Sequence, residues 1–204
     1  MKTVFLDVDT QIDFLFPAGA LYVPGADEIV PNLAALTQYA LASSHQIVST
    51  ADAHPENDPE FKDWKPHCVA GTIGQHKASA TLSERPFPLV LSSNPGALES
   101  LIPQLPQAKQ IIVEKHMLDC FSNPNLKLVL DALKPDRFVV YGVAIEHCVR
   151  HALSGIVDLG KPVYLVTDAI RGIDPDECSQ VTSGFQAQGV THCTTADVVA
   201  GIQP

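Results

Sequence analysis

The chain has little positive charge and no long hydrophobic run, and each shortage excludes a class of protein. Its 13 Lys and Arg residues face 23 Asp and Glu residues, which gives a formal net charge of −10. Nucleic-acid binding needs clustered basic side chains, so we expect no nucleic-acid partner. No apolar run approaches the roughly 20 residues of a membrane-spanning helix, so we expect no membrane partner either.

Cysteine is also sparse, and its distribution bears on the compartment. The five cysteines are scattered and lack the spacing pattern of a secreted disulfide framework. Residues 1–7 have the pattern of a strand rather than of a signal peptide. We therefore expect a cytoplasmic protein whose thiols stay free for chemistry. These cysteines are Cys68, Cys120, Cys148, Cys178 and Cys193.

Short β-rich apolar runs alternate with longer helical patterns, and hydrophobic residues make up 46% of the chain. This alternation predicts an α/β fold with a mostly parallel, six-stranded sheet and right-handed crossovers. No linker or repeat divides the chain, so residues 1–204 are expected to form a single domain. Strands are predicted at residues 3–7, 46–50, 110–113, 137–142, 162–167 and 190–193, and helices within 30–43, 97–102, 125–133, 147–159, 175–188 and 195–201.

Polar side chains follow four of the predicted strands. Asp9 comes after the first strand, Asp52 and His54 after the second, Lys115 after the third and Cys148 after the fourth. Ligands of parallel sheets bind beyond the carboxyl ends of the strands. Four successive strands that deliver reactive groups to one edge indicate a functional site there.

Cys148 follows a glycine-containing turn and is predicted in the first turn of a helix. The unpaired N–H groups and dipole of a helix N-terminus favour a thiolate, as does a nearby lysine such as Lys115. Asp9 could then relay protons for a cysteine nucleophile. Each residue has a plainer interpretation, in which Cys148 packs a helix on the sheet, Lys115 is solvated and Asp9 caps a turn. Periodicity does not choose between Asp9 and two other candidate carboxylates, Asp7 and Asp13.

A second group of candidate residues lies in and before a long, proline-rich stretch at residues 53–91. Asp52 and His54 point the same way on an extended segment, and His67 returns from the loop. With Glu60 as a fourth ligand they could hold one divalent ion, Zn²⁺ first and Fe²⁺ or Mn²⁺ as alternatives. The two histidines could equally be unrelated loop residues. Asp58 and Asp63 are weaker candidate ligands, Cys68 is expected to pack inward, and six histidines without metal-type spacing are interpreted as structural or surface residues: His45, His76, His116, His147, His151 and His192.

Taken together, these segments resemble the isochorismatase-like cysteine hydrolases. The segment Asp9-Thr10-Gln11-Ile12-Asp13-Phe14 is similar to the family's Asp-x-Gln-x-Asp-Phe motif, and Lys115 begins a segment similar to the one with the catalytic lysine. Gly142-Val143-Ala144, before Cys148, resembles the nucleophile turn. Asp168-Ala169, after the fifth predicted strand, also fits. Within the family, Asp52-x-His54 with Trp64-x-Pro66-His67-Cys68-Val69 and Gly71-Thr72-x-Gly74 resembles the metal-binding region of nicotinamidases.

The resemblance implies a three-layer α/β/α fold and a Cys–Asp–Lys triad of Cys148, Asp9 and Lys115. It further implies a cis peptide between Val143 and Ala144, and an oxyanion hole formed by the backbone N–H groups of Ala144 and Cys148. The metal set would be Asp52, His54, Glu60 and His67, and Phe14 and Trp64 would face the substrate ring. The residues before the nucleophile, Ile145-Glu146-His147, depart from the commonest family choice.

The activity implied is hydrolysis of a small carboxamide, nicotinamide, to nicotinate and ammonia through a cysteine thioester, in NAD salvage and pyridine nucleotide biosynthesis. Another cysteine amidase of the superfamily, acting on a carbamoyl or ureido substrate, is the first alternative. A non-catalytic binding module that keeps the fold is the second. Assembly into a homo-oligomer is compatible with the sequence.

Overall fold

The computed structural model describes residues 1–92 and 101–201, and a parallel sheet runs through their centre. Each strand of this sheet pairs in parallel with its neighbours. In space the seven strands of the described residues follow the order β3-β4-β2-β1-β5-β6-β7. They are β1 (Thr3–Val8), β2 (Gln46–Asp52), β3 (Leu89–Leu91), β4 (Gln110–Lys115), β5 (Arg137–Val143), β6 (Val163–Arg171) and β7 (Thr191–Cys193).

Helices connect these strands, and local sequence explains where two of them begin. Asp174 accepts hydrogen bonds from the N–H groups of Asp176 and Glu177, and Pro175 opens the helix that follows. Thr194 and Asp197 form a reciprocal capping box. The α-helices are α1 (Ile12–Leu15), α2 (Val30–Ala42), α3 (Pro124–Leu133), α4 (Arg150–Val157), α5 (Pro175–Ala187) and α6 (Thr195–Val199), and a π-helical turn, Ile145–Val149, leads into α4.

Alternating residues of the strands point to opposite faces of the sheet and into two apolar layers. On one face Val4 and Leu6 of β1 pack with buried residues of α3, α4 and α5. On the other face Phe5 packs with buried residues of α2 and α6. Helices therefore cover both faces, which confirms the predicted three-layer α/β/α fold. Over the described residues, no helix is both apolar and long enough to cross a membrane.

The sheet has one strand more than the six predicted. The additional strand β3 has only three residues and lies within the stretch 53–91, where little regular structure was expected. Strand β6 runs on to Arg171, so Asp168 lies inside this strand rather than after it. There its carboxylate accepts hydrogen bonds from Thr195, at the start of α6. The predicted helix at 97–102 falls largely outside the described residues.

Strand order brings the candidate site residues together. The chain passes from β1 to the β2 side of the sheet and later crosses to β5 on the other side of β1, so the strand order reverses at β1. Ligand sites of open α/β sheets lie at such reversals, beyond the carboxyl ends of the strands. Gly142 allows β5 to approach β1 closely at this point. Its φ is +125°, and a Cβ there would lie 2.0 Å from the Val8 carbonyl oxygen.

Candidate active site

A buried lysine joins two carboxylates and a thiol at this strand reversal. Lys115, the last residue of β4, is 1% exposed. Its Nζ lies 2.8 Å from Asp9 Oδ2, 2.5 Å from Asp52 Oδ1 and 3.4 Å from Cys148 Sγ. The thiol, Asp9 and Asp52 also place one sulfur or oxygen atom each within 4.8 Å of one another. All three residues of the predicted triad therefore meet at one point.

The charges around Cys148 decide its resting state. Burial alone would lower the pKa of Lys115, but the carboxylates of Asp52 and Asp9 outweigh burial and raise it well above its usual value. Burial raises the pKa of Cys148 well above its usual value, and Asp9 and Asp52 add to this rise against the opposing charge of Lys115. The expected lowering of the Cys148 pKa is thus wrong for the free protein. Burial and the two carboxylates together outweigh the single ammonium, and this favours the neutral thiol.

Asp9 lies close to this thiol and contacts Lys115. It follows β1 in a left-handed conformation, with φ of +50°, and its Oδ1 accepts a hydrogen bond from Thr50 at 2.5 Å. Burial raises the pKa of Asp9, against the lowering effect of Lys115. A raised pKa brings a carboxylate closer to the pH at which it both accepts and returns protons.

The two competing carboxylates have other partners. Asp7 forms an ion pair with Lys77 at 2.8 Å and accepts hydrogen bonds from Thr10 and Ser49. Asp13 accepts hydrogen bonds from the backbone N–H groups of Ala20 and Cys68. Asp7 and Asp13 therefore fasten strands and loops, and Asp9 is the carboxylate of this group that contacts Lys115.

A carboxylate and two imidazoles converge beside the thiol. Oδ2 of Asp52 lies 3.7 Å from Nε2 of His54 and 3.9 Å from Nε2 of His67, and all three residues are buried. Nε2 of His54 has no hydrogen-bond partner although it is buried. Nδ1 of His67 lies 2.7 Å from the carbonyl oxygen of Lys65, which turns Nε2 toward the carboxylate. An unpartnered buried nitrogen is costly unless a ligand satisfies it.

These donors fit a divalent ion of the Zn²⁺, Fe²⁺ or Mn²⁺ type, which accepts nitrogen and oxygen ligands. Burial lowers the pKa of His67 and keeps its imidazole neutral, as metal binding requires. Nδ1 of His54 lies 3.1 Å from Asp58, an arrangement typical of a carboxylate that orients a metal-binding histidine. Asp58 therefore contacts His54 through Nδ1, the ring nitrogen other than the one near Asp52, and Glu60 places an oxygen within 4.8 Å of both residues.

The remaining candidates near this cluster behave differently. Asp63 is exposed and its backbone N–H donates to the carbonyl of Glu60. Cys68 is fully buried, as expected, with its sulfur 3.9 Å from the carbonyl oxygen of Gly74. Burial raises its pKa far above the usual range of a thiol. Cys68 is therefore a packing residue beside the cluster.

An apolar pocket opens directly over Cys148. The space between its walls is about 390 Å³, a volume that includes open solvent at its mouth. Phe14 and Trp64 line it as predicted, and the ring of Phe14 lies 5.3 Å from that of His67. His147, interpreted from the sequence as a structural or surface residue, lines it too, with its ring 5.1 Å from that of Trp64. The pocket is lined by Phe14, Leu21, Val23, Asp52, Glu60, Trp64, His67, Leu118, Val143, Ala144, His147, Cys148 and Ile173.

Apart from Phe14 and Trp64, sequence reasoning missed the walls of this pocket, because the strand-end pattern selects polar residues. Proximity in sequence to a candidate catalytic residue could have identified two of these wall residues. His147 directly precedes Cys148, and Leu118 follows Lys115 by three residues. No such signal identifies Ile173, because the predicted strand ends at residue 167 whereas β6 ends at Arg171.

The turn that carries Cys148 differs from the predicted helix start. Residues Ile145–Val149 form a wide π-type turn that is kinked at His147, where φ is −117° and ψ is −105°, and the α-helix proper begins at Arg150. The peptide bond between Val143 and Ala144 is cis, which confirms the expectation from the resemblance. Ala144 lines the pocket next to Cys148, and its carbonyl accepts hydrogen bonds from the N–H groups of His147 and Val149.

Comparison with known proteins identifies the family to which the chain belongs. Residues 3–197 match the Isochorismatase domain family. The chain is similar to a nicotinamidase of Saccharomyces cerevisiae, at 24% identity over 93% of this chain and 98% of that protein. It is also similar to a nicotinamidase/pyrazinamidase of Mycobacterium tuberculosis, at 26% identity over 83% and 86% of the two chains. The crystal structure of a pyrazinamidase of Pyrococcus horikoshii in complex with zinc superposes with a TM-score of 0.78 and 26% identity, covering 95% of this chain and 99% of the other. Because the family match spans nearly the whole sequence, the chain belongs to the isochorismatase domain family.

Proposed function

We propose that this protein is a nicotinamidase, an amidohydrolase that converts nicotinamide and water to nicotinate and ammonia. One observation carries the proposal: Lys115 contacts Asp9 and Cys148, and Cys148 lines an apolar pocket that is also lined by Asp52 and His67. The first group of residues suits acyl transfer and the second suits a metal ion. Similarity to proteins named nicotinamidase supports the choice of substrate.

In the first half of the proposed reaction, Asp9 takes the proton of the Cys148 thiol while the sulfur attacks the carboxamide carbon. The C=O electrons move to oxygen, and the backbone N–H groups of Ala144 and Cys148 hold the resulting oxyanion, an interaction worth about 3–4 kcal/mol per donor. Asp9 then passes its proton to the nitrogen as the C–N bond breaks. Ammonia leaves, and the acyl group stays on Cys148 as a thioester.

In the second half, Asp9 takes a proton from water and the hydroxide adds to the thioester carbon. When the C–S bond breaks, the sulfur leaves as a thiolate and regains a proton from Asp9. Lys115 stays an ammonium throughout, because its pKa is raised far above neutral pH. Its charge stabilises the carboxylate of Asp9 and the transient thiolate of Cys148.

Recognition of the substrate ring would fall to the walls of the pocket. Phe14 and Trp64 offer apolar faces to a pyridine ring. Asp52, His54 and His67, with Glu60 beside them, would hold one divalent ion, for which Zn²⁺ is our first choice. When bound, the ion would offer a Lewis-acid contact to the ring nitrogen and so orient the ring. The nucleophile of the proposed reaction is the sulfur of Cys148.

The proposal also includes a cellular setting. A cysteine nucleophile has to stay reduced, and all five cysteines of the chain are free. We therefore place the reaction in the reducing cytoplasm, as a step of NAD salvage.

The test is ammonia release from nicotinamide before and after removal of bound metal by a chelator. We expect turnover that collapses on chelation and returns when Zn²⁺, Fe²⁺ or Mn²⁺ is added back. Activity on a carbamoyl or ureido compound, unaffected by the chelator, would contradict the nicotinamidase assignment and favour another amidase. Absence of any amidase activity would favour a binding module.

A further inference from the structure

A buried carboxylate lies in the turn that carries Cys148, and the proposed mechanism leaves it without a role. Glu146 precedes Cys148 by two residues and is only 3% exposed. Its Oε1 accepts hydrogen bonds from the backbone N–H groups of Ile173 at 2.5 Å and of Asp174 at 2.9 Å. Both amides belong to the short segment between β6 and α5. A buried carboxylate needs such charge-assisted hydrogen bonds, so this segment and the nucleophile turn are tied to each other.

The second oxygen of Glu146 is enclosed by the same segment and by α5. The thiol of Cys178 lies 3.6 Å from Oε2 and donates to it. Burial, together with the charge of Glu146, raises the pKa of Cys178 to about 12, so this thiol remains a donor. A Cβ added at Gly172 would lie 2.2 Å from Oε2, so only glycine allows this close approach of backbone to carboxylate.

Ile173 connects this carboxylate to the pocket. It lines the pocket together with Cys148 and Trp64, yet 42% of its surface is exposed, so the core covers only part of it. We propose that Glu146 is a positioning residue that holds Ile173 against the pocket and so limits the size of the ring that enters. This inference rests on the proposed carboxamide hydrolysis and adds a specificity element to it. The favoured substrates would be small heteroaromatic carboxamides without bulky ring substituents.

Substitutions at Glu146 distinguish a role in positioning Ile173 from a role in stabilising the fold. Glu146→Ala should raise KM for nicotinamide by roughly four- to tenfold, the share expected for a half-buried isoleucine side chain, with little change in kcat. It should also relax discrimination against a ring-methylated nicotinamide. Glu146→Gln keeps a carbonyl oxygen for both amides and should restore a KM near the wild-type value. The matched control is Glu177→Ala, which removes an exposed carboxylate of α5 and should leave KM and kcat unchanged.

Ile173→Ala tests whether Glu146 acts through this side chain. It should reproduce the rise in KM, and adding Glu146→Ala to it should raise KM little further, because the two changes remove the same contact. Full additivity of the two effects would overturn the inference. A loss of kcat at unchanged KM in Glu146→Ala would overturn it as well, since that result would place the effect on the nucleophile.

Amide hydrogen exchange gives a readout independent of activity. The N–H groups of Ile173 and Asp174 should be protected in the wild-type protein and in Glu146→Gln, and should exchange faster in Glu146→Ala. Unchanged exchange in Glu146→Ala would overturn the positioning role whatever the substrate. Faster exchange in a protein whose wild type does not hydrolyse nicotinamide would contradict the proposed function and leave the tie between Glu146 and this segment supported.

Discussion

Asp7 and Asp9 lie two residues apart, and each contacts a different buried lysine, Lys77 and Lys115 respectively. Comparing their substitutions therefore tests whether Asp9 relays protons or only stabilises the fold. In the variant Asp9→Asn the proposed proton relay is lost, although Lys115 keeps Asp52 at 2.5 Å as an ion-pair partner. Proton transfer by a positioned side chain contributes about 10²–10⁴-fold, and Asp9 is proposed to act in both halves of the reaction, so kcat/KM should fall by at least about 10³-fold. The free energy of unfolding should stay within about 1 kcal/mol of wild type, because no buried ammonium is left unpaired.

Asp7→Asn is the matched control and should behave in the opposite way. Asp7 forms the 2.8 Å ion pair with Lys77, and both side chains are buried. Removing one partner of a buried pair costs about 3–5 kcal/mol, so urea should unfold this variant much earlier. The protein that remains folded should keep near wild-type kcat/KM, since Asp7 does not contact Lys115.

The measurements are ammonia release from nicotinamide and urea unfolding on the same preparations. An Asp9→Asn protein with near wild-type turnover would refute the relay. An Asp9→Asn protein that loses activity only as far as it loses stability would refute it too, because Asp9 would then be a structural residue like Asp7.

Three further predictions follow from the contacts of single residues. Asp58→Asn should weaken divalent-ion binding by about 10–100-fold, because it removes the carboxylate that orients His54, and competition with a chromophoric chelator measures this; unchanged affinity would contradict that role. Burial raises the pKa of Asp9, and only its ionised form accepts a proton, so kcat/KM should fall on acidification at a pH above the usual range of an aspartate; a pH profile with an ordinary aspartate limb would contradict this. Gly142→Ala should destabilise the protein by about 2–5 kcal/mol in urea unfolding, because its Cβ would meet the carbonyl oxygen of Val8; a neutral effect would contradict the observed close approach.

The sequence was sufficient to predict the parallel α/β fold and the edge at which the site lies. Asp9, Lys115 and Cys148 lie at or beyond the carboxyl ends of their strands, and in a parallel sheet these ends share one edge. How closely the three residues approach one another depends on the strand order, which the structure supplies. The same argument could not predict the seventh strand. β3 has only three residues, Leu89–Leu91, and a run that short has no measurable periodicity.

The direction of the pKa shift at Cys148 could not be predicted from the sequence, because it depends on the distances between charged groups. A lysine near a cysteine suggests a lowered thiol pKa, but burial of Cys148, together with the carboxylates of Asp9 and Asp52, raises this pKa instead. The pocket walls needed tertiary structure for a similar reason. The position of His147 in the pocket wall depends on the turn Ile145–Val149, and that of Ile173 depends on the length of β6. Neither feature has a clear sequence signal.

Detection of an acyl group on Cys148 tests the central claim most directly. The protein is mixed with nicotinamide, quenched in acid within the first turnovers and analysed by peptide mass spectrometry. The account predicts a nicotinoyl thioester on the peptide that contains Cys148 and on no other cysteine peptide, and no turnover in Cys148→Ala. Ammonia release by Cys148→Ala at a rate near that of the wild type would contradict it.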